Sequence, residues 1–192
     1  MALPEIDAPS CILLALGLLV LPLPLLFAAV TAAGFHEICH FLAAKILKIP
    51  VFRIRLTAMG CVMELGPMGR KQELICAAAG PLGSLLLFAF YPVIPLTGLC
   101  AGIQGLYNLL PVYPLDGGRI LRCLVSEKTA LQITAITWAG IFMISLISLF
   151  IPNMGILPGF IGLIMTGKTI LLKNTLQTPP TKSTIALPKT KR

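Results

Sequence analysis

From Cys11 to Leu47 the chain carries only two full charges, Glu37 and Lys45. So apolar a stretch must be covered by protein or by lipid, and at about 20 residues per bilayer crossing it is too long for one ordinary span. Pro22 and Pro24 interrupt it, since a proline ring removes a backbone donor and clashes with the preceding turn. The run therefore divides into a short helix over Cys11 to Val20 and a longer one over Leu25 to Leu47. Further apolar runs cover Glu73 to Tyr91, Leu96 to Leu110, Ala130 to Ile151 and Ile156 to Leu172. Composition agrees: 57% of residues are hydrophobic and 11% charged, where soluble domains average about a quarter charged. The expectation is an all-α polytopic membrane protein of about six transmembrane helices.

A net charge of +8 would suggest nucleic acid for a soluble protein, so the placement of the charges decides their meaning. Lys45, Lys48, Arg53, Arg55, Arg70 and Lys71 fall between the second and third runs, and Arg119, Arg122 and Lys128 between the fourth and fifth. Lys168, Lys173, Lys182, Lys189, Lys191 and Arg192 lie at the C-terminal end, while the intervening links carry none. Basic residues collect on the cytoplasmic side of short loops, which predicts a multi-pass protein of the cell membrane with both termini cytoplasmic. The lipid bilayer is then the partner, and nucleic acid is not.

Val51 to Leu65 is rich in β-branched and aliphatic residues around a turn at Ala58, Met59 and Gly60, which predicts a small β-hairpin between helices two and three. Pro179, Pro180 and Pro188 among Thr, Ser and Lys make residues 174–192 a flexible basic tail behind a membrane domain of residues 1–173. Glu5 and Asp7 stand where a secretory signal would have basic residues, so the N-terminus is expected to be retained. Six cysteines without a C-x-x-C pair, mostly within apolar runs, predict no disulfide framework.

Both histidines of the chain fall in His36-Glu37-Ile38-Cys39-His40, inside the second run. On a helix, positions 36 and 40 share one face, so both imidazoles can reach one metal ion with Glu37 beside it, an arrangement suited to Zn²⁺. The alternative is two histidines hydrogen-bonded to neighbouring helices. Catalytic zinc usually takes three protein ligands, and Glu64, Glu73, Asp116 and Glu127 are the acidic candidates beyond the N-terminus. Asp116 stands apart. Pro111 and Pro114 should break the fourth helix before it, and Gly117 and Gly118 let the backbone turn tightly after it. Its alternative role is to cap the next helix and pair with Arg119.

His-Glu-x-x-His followed by Asn108-Leu-Leu-Pro111-Val-Tyr-Pro114-Leu-Asp116-Gly117-Gly118-Arg119 resembles the site-2 protease family of intramembrane zinc metalloproteases, especially its sporulation branch. Ala79-Gly80-Pro81 and the hairpin are similar to further elements of that family, and the likeness extends over roughly residues 10 to 172. It implies zinc ligands His36, His40 and Asp116, with Glu37 as the catalytic base. Bound Zn²⁺ would lower the pKa of its water to about 7 while Glu37 takes the water proton and hands it to the leaving amine. Asn108 is implied to steady the substrate backbone or the oxyanion, against an equal alternative as a helix–helix contact. Cys39 and Ser84 depart from the family, which commonly has glycine at the first position and often a larger polar residue at the second.

The resemblance thus predicts hydrolysis of a peptide bond in a membrane-tethered protein near the cytoplasmic face, such as a transcription-factor precursor in sporulation, with a membrane regulatory protein as a further partner. The rival is a metal-binding membrane protein without hydrolysis, either a transporter or an inactive family member.

Overall fold

The computed structural model describes residues 5–57 and 60–148. The chain divides into two units, residues 1–135 and 136–192, and the elements that follow belong to the first unless stated. Strand β1 (Glu5–Ile6) leads into α1 (Ala8–Val20) and α2 (Leu23–Ile46). The hairpin β2 (Val51–Thr57) and β3 (Gly60–Leu65) follows, then α3 (Arg70–Phe88), α4 (Pro95–Asn108), the short α5 (Asp116–Leu124), and α6 (Glu127–Ser148), which runs on into the second unit.

Prolines set these limits. Pro22 and Pro24 separate α1 from α2, Pro95 opens α4, and Pro111 and Pro114 keep the chain out of helix between α4 and α5. At the other end of α2, Lys48 takes a left-handed conformation (φ 56°) and the Ile49 amide bonds the Ala44 carbonyl, which stops the helix before the hairpin. The hairpin lies between the second and third helices as expected, its strands antiparallel with Arg55 opposite Val62 and Leu56 opposite Cys61. One strand is added to it. β1 pairs in parallel with β2, and the Asp7 amide and Ser10 hydroxyl both donate to the Leu56 carbonyl, giving the order β1-β2-β3. Two residues are too short a strand to leave a periodic signal.

The expectation of six transmembrane helices and a multi-pass protein is overturned. Among the described residues there are six helices, but only α2, with 24 residues, is long and apolar enough to cross a bilayer. The prolines that punctuate the apolar runs leave α1 with 13 residues and α4 with 14, a rise of about 20 Å where a hydrocarbon core is about 30 Å thick. Helices α3 and α6 have sufficient length, but they open on Arg70, Lys71 and Glu73 and on Glu127 and Lys128. The assignment of both termini to the cytoplasm combined the basic loops with a count of six spans, and that count no longer supports it. The predicted helix over Ile156 to Leu172 and the predicted tail lie outside the described residues. Helix α5 was not anticipated.

Small side chains hold the helices of the first unit together. Along α2 the buried positions are Ala28, Ala32, His36, His40 and Ala44, a single stripe at four-residue spacing. It packs on α3, whose buried residues include Ala77, Gly80, Pro81 and Gly83, and on α4, which buries Gly98, Ala101, Gly102 and Gly105. A Cβ on Gly102 would come 2.7 Å from the Phe88 ring, and one on Gly105 would come 3.0 Å from the Ser84 Cβ. The helices can approach this closely only because these positions lack side chains. Below the stripe, Ala44, Ile49 and Cys76 form a buried cluster flanked by Val51 and Leu65, which ties the hairpin to the C-terminal end of α2.

Candidate metal centre

The two histidines are the only strongly polar members of the α2 stripe, and they face α3 across a gap that only glycine can leave. A Cβ on Gly80 would stand 2.2 Å from His40 Nε2 and 2.7 Å from His36 Nε2. One turn to either side of Gly80, α3 supplies a hydrogen-bond partner for each ring. His40 Nδ1 donates to the Cys76 carbonyl at 2.7 Å, and His36 Nδ1 meets the Ser84 hydroxyl at 2.9 Å. A carbonyl only accepts, so the His40 proton resides on Nδ1 and the neutral ring presents a lone pair at Nε2. The Cys76, Gly80 and Ser84 positions of α3 thus mirror the His36 and His40 positions of α2.

Asp116 closes the third side. It is the first residue of α5, and its Oδ2 lies 3.2 Å from His36 Nε2 and 3.0 Å from His40 Nε2, with the two nitrogens 3.1 Å apart. Ligands of a tetrahedral zinc ion at about 2.0–2.1 Å are separated by roughly 3.3 Å, so the triangle is close to the size that the ion requires. Two imidazole nitrogens and a carboxylate oxygen at this spacing require a proton or a metal cation among them. All three residues are buried. Burial alone would raise the Asp116 carboxyl, but the hydrogen bonds and charge of His36 and His40 outweigh it and hold the group down to about 2. The other carboxylate oxygen, Oδ1, faces Arg119 Nη1 at 3.8 Å, and Arg119 Nε faces Glu73 Oε1 at 4.0 Å. Asp116 thus meets the histidines and also pairs with Arg119, but it does not cap α5, whose cap position is Leu115.

The glycines after Asp116 act differently from the expected tight turn. Gly117 and Gly118 are helical and buried, and a Cβ on either would collide at 2.2–2.4 Å with backbone of Leu109 or of Val112 and Tyr113. They allow the start of α5 to lie against the chain between Leu109 and Pro114, where the Tyr113–Pro114 bond is cis. That contact brings Asp116 to the histidines.

Glu37 is half-buried beside this triangle and interacts with the charges of His36, His40 and Asp116. Its carboxylate accepts a hydrogen bond from the backbone of Cys61 on β3, which places the hairpin at the edge of the site. Burial, and then the Glu37 charge, push the Cys61 thiol up to about 11. Asn108 ends α4 and donates to the Gln104 carbonyl one turn back at 3.1 Å, apart from the triangle. Cys39 is also apart: its Sγ packs where a Cβ of Gly83 would be, so it fills the notch opposite that glycine. Sequence reasoning missed the parts played by Gly80, Ser84 and the Cys76 carbonyl. The four-residue spacing of 76, 80 and 84 was the available signal.

No protein-family profile matches the chain. It is 33% identical over 118 residues to a zinc metalloprotease of Methanocaldococcus jannaschii, a match covering 54% of this chain and 34% of that protein. With stage IV sporulation protein FB of Bacillus subtilis it shares 29% identity over 135 residues, 63% of this chain and 47% of that one. The sporulation protein is thus less similar in identity than the archaeal enzyme, and a special nearness to the sporulation branch is not supported. The chain spans about a third to a half of the length of these curated relatives. Among solved structures, the site-2 protease from Methanocaldococcus jannaschii superposes with a TM-score of 0.63 over 95% of this chain and 94% of that one, at 21% identity, which establishes a shared fold.

Proposed function

We propose that this chain is a zinc metalloprotease of the site-2 protease family, cutting a peptide bond in a membrane-tethered protein. The observation that carries the proposal is the convergence of His36 Nε2, His40 Nε2 and Asp116 Oδ2 at 3.0–3.2 Å, with the Glu37 carboxylate beside them. His36, His40 and Asp116 would hold the zinc ion, which when bound would supply a Lewis acid for the carbonyl and the water. Glu37 accepts the proton of the attacking water and returns it to the departing amine. The bond from the Cys61 backbone holds its carboxylate in place for both transfers. Ser84 and the Cys76 carbonyl keep the imidazoles aimed inward. Asn108, which ends α4, is proposed to steady the substrate backbone once it leaves the Gln104 carbonyl.

A peptide bond inside a helix is shielded, so the substrate must be extended at the site. Among the described residues strand β3 pairs with β2 on one side only, and its Cys61 backbone bonds Glu37, so an extended substrate strand added at its other edge would lie near the base. His40 lies five residues before Lys45 on α2, about 8 Å of helix rise from the basic end, which supports cleavage near the cytoplasmic face. A membrane-tethered transcription-factor precursor is the substrate that the family resemblance of the sequence motifs implies.

The test compares the wild type with Glu37→Gln on a membrane-tethered reporter and on the same reporter without its tether. The expected result is one zinc per chain in both proteins and a roughly 10²–10⁴-fold loss of cleavage in the variant. Undiminished cleavage by Glu37→Gln would overturn the mechanism, and equal rates on both reporters would overturn the tethered substrate. A metal-bound wild type that cleaves neither reporter supports the non-hydrolytic rival.

A further inference from the structure

Helix α5 carries the third ligand, yet it has little means of staying in place by itself. It is nine residues long, with glycines at its second and third positions, and glycine disfavours helix relative to alanine. Isolated helices of this length are marginal. Its C-terminal carbonyls are taken up by one distant side chain. Arg70, the first residue of α3, donates from Nε to the Cys123 carbonyl at 2.7 Å and from Nη2 to the Val125 carbonyl at 3.0 Å and the Arg122 carbonyl at 3.4 Å. These are carbonyls that a helix end leaves without intrahelical partners, and a cation there also complements the negative end of the helix dipole. On the next turn of α3, Glu73 faces Arg119, which faces Asp116. Arg122 leans over the Tyr113 ring at 5.5 Å, holding the same end of α5 against the segment before it.

We infer that Arg70 is a positioning residue for the metal centre: by gripping the C-terminal end of α5 it fixes the helix that presents Asp116 to His36 and His40. Seven residues separate Asp116 from Cys123, so the grip acts about 10 Å from the ligand and touches neither metal nor substrate. A guanidinium suits the task because its fork reaches three carbonyls at once, whereas an ammonium is a single point. The inference rests on the metal reading proposed above and extends it to a residue outside the site.

The test uses the full chain, purified with zinc as wild type, Arg70→Gln, Arg70→Lys and Lys71→Gln. Each protein is titrated with a chelator while retained zinc is measured, and each is also loaded with Co²⁺ to record the absorption bands of the tetrahedral site. The expected result is release of zinc by Arg70→Gln at about ten-fold lower chelator than wild type, with altered Co²⁺ bands. Arg70→Lys should fall between them, and Lys71→Gln, which removes a charge from the same turn, should match the wild type. An Arg70→Gln curve superimposed on the wild type, or a Lys71→Gln curve shifted as far, overturns the inference. Should Arg70→Gln fail to fold, Arg70→Lys decides, and retention equal to wild type overturns it. A wild type that binds no stoichiometric zinc overturns the metal reading itself, an outcome distinct from a zinc-bound wild type indifferent to Arg70.

Discussion

At the scale of single residues, the centre depends as much on atoms that are missing as on those that ligate. Gly80→Ala would put a methyl within van der Waals overlap of both imidazoles, and His40 cannot retreat without losing the Cys76 carbonyl. Overpacking of this kind costs about 1–3 kcal/mol, so zinc retention against a chelator should fall roughly ten-fold or more. Ser84→Ala removes the partner of His36 Nδ1 while adding no bulk, and the expected loss of zinc affinity is about ten-fold, measured in the same titration. The Cys61 thiol gives a pH signature. With its pKa near 11 against an ordinary 9, the folded chain carries about a hundred-fold less Cys61 thiolate at pH 8 than the unfolded chain. Alkylation of Cys61 should therefore be slow at pH 8 and should accelerate as pH rises through about 11, which a labelling series read by mass spectrometry would check. His36, Glu37 and His40 were legible in the sequence because a helix guarantees that positions four apart share a face. Gly80 and Ser84 were legible only as positions, through their four-residue spacing with Cys76, because what they do depends on which helix lies opposite, and spacing alone does not state that.

At the scale of elements, the hairpin and the proline-delimited helices follow from local chemistry, while α5 follows from contact. Pro111 and Pro114 do end the preceding helix, as the sequence suggests, but Gly117 and Gly118 are needed for the approach of helix to backbone rather than for a turn. That distinction is invisible locally, since glycine serves both purposes. It yields a prediction: Gly118→Ala places a Cβ at 2.4 Å from Val112 and Tyr113 backbone, which cannot swing aside as a side chain would. Such strain should cost about 1–3 kcal/mol and displace α5. Both the melting temperature and the zinc content of the variant should drop, whereas alanine at Gly34, inside α2 with open space around it, should leave the zinc content unchanged and not lower the melting temperature.

At the scale of the whole molecule, composition signals lipid more loudly than the element lengths do. Counting apolar residues gives six spans, but a bilayer measures continuous apolar helix, and among the described residues only α2 is both long and apolar enough to cross. The metal, in contrast, joins parts that the sequence keeps far apart, with Asp116 lying 80 residues from His36 and 76 from His40. Ligation that the unfolded chain cannot reproduce stabilises the fold by about 2.7 kcal/mol when free zinc is a hundred times its dissociation constant. Chelation should accordingly lower the melting temperature by roughly 5–10 °C for a chain of this size, and restored zinc should recover it, as differential scanning fluorimetry would show. The same separation has a temporal consequence. While the chain is being synthesised, the His-Glu-x-x-His helix leaves the ribosome long before the carboxylate that joins it, so a nascent or prematurely ended polypeptide has Glu37 and two imidazoles without the third member of the triangle. Any activity that needs all three would stay silent until α5 had emerged and docked.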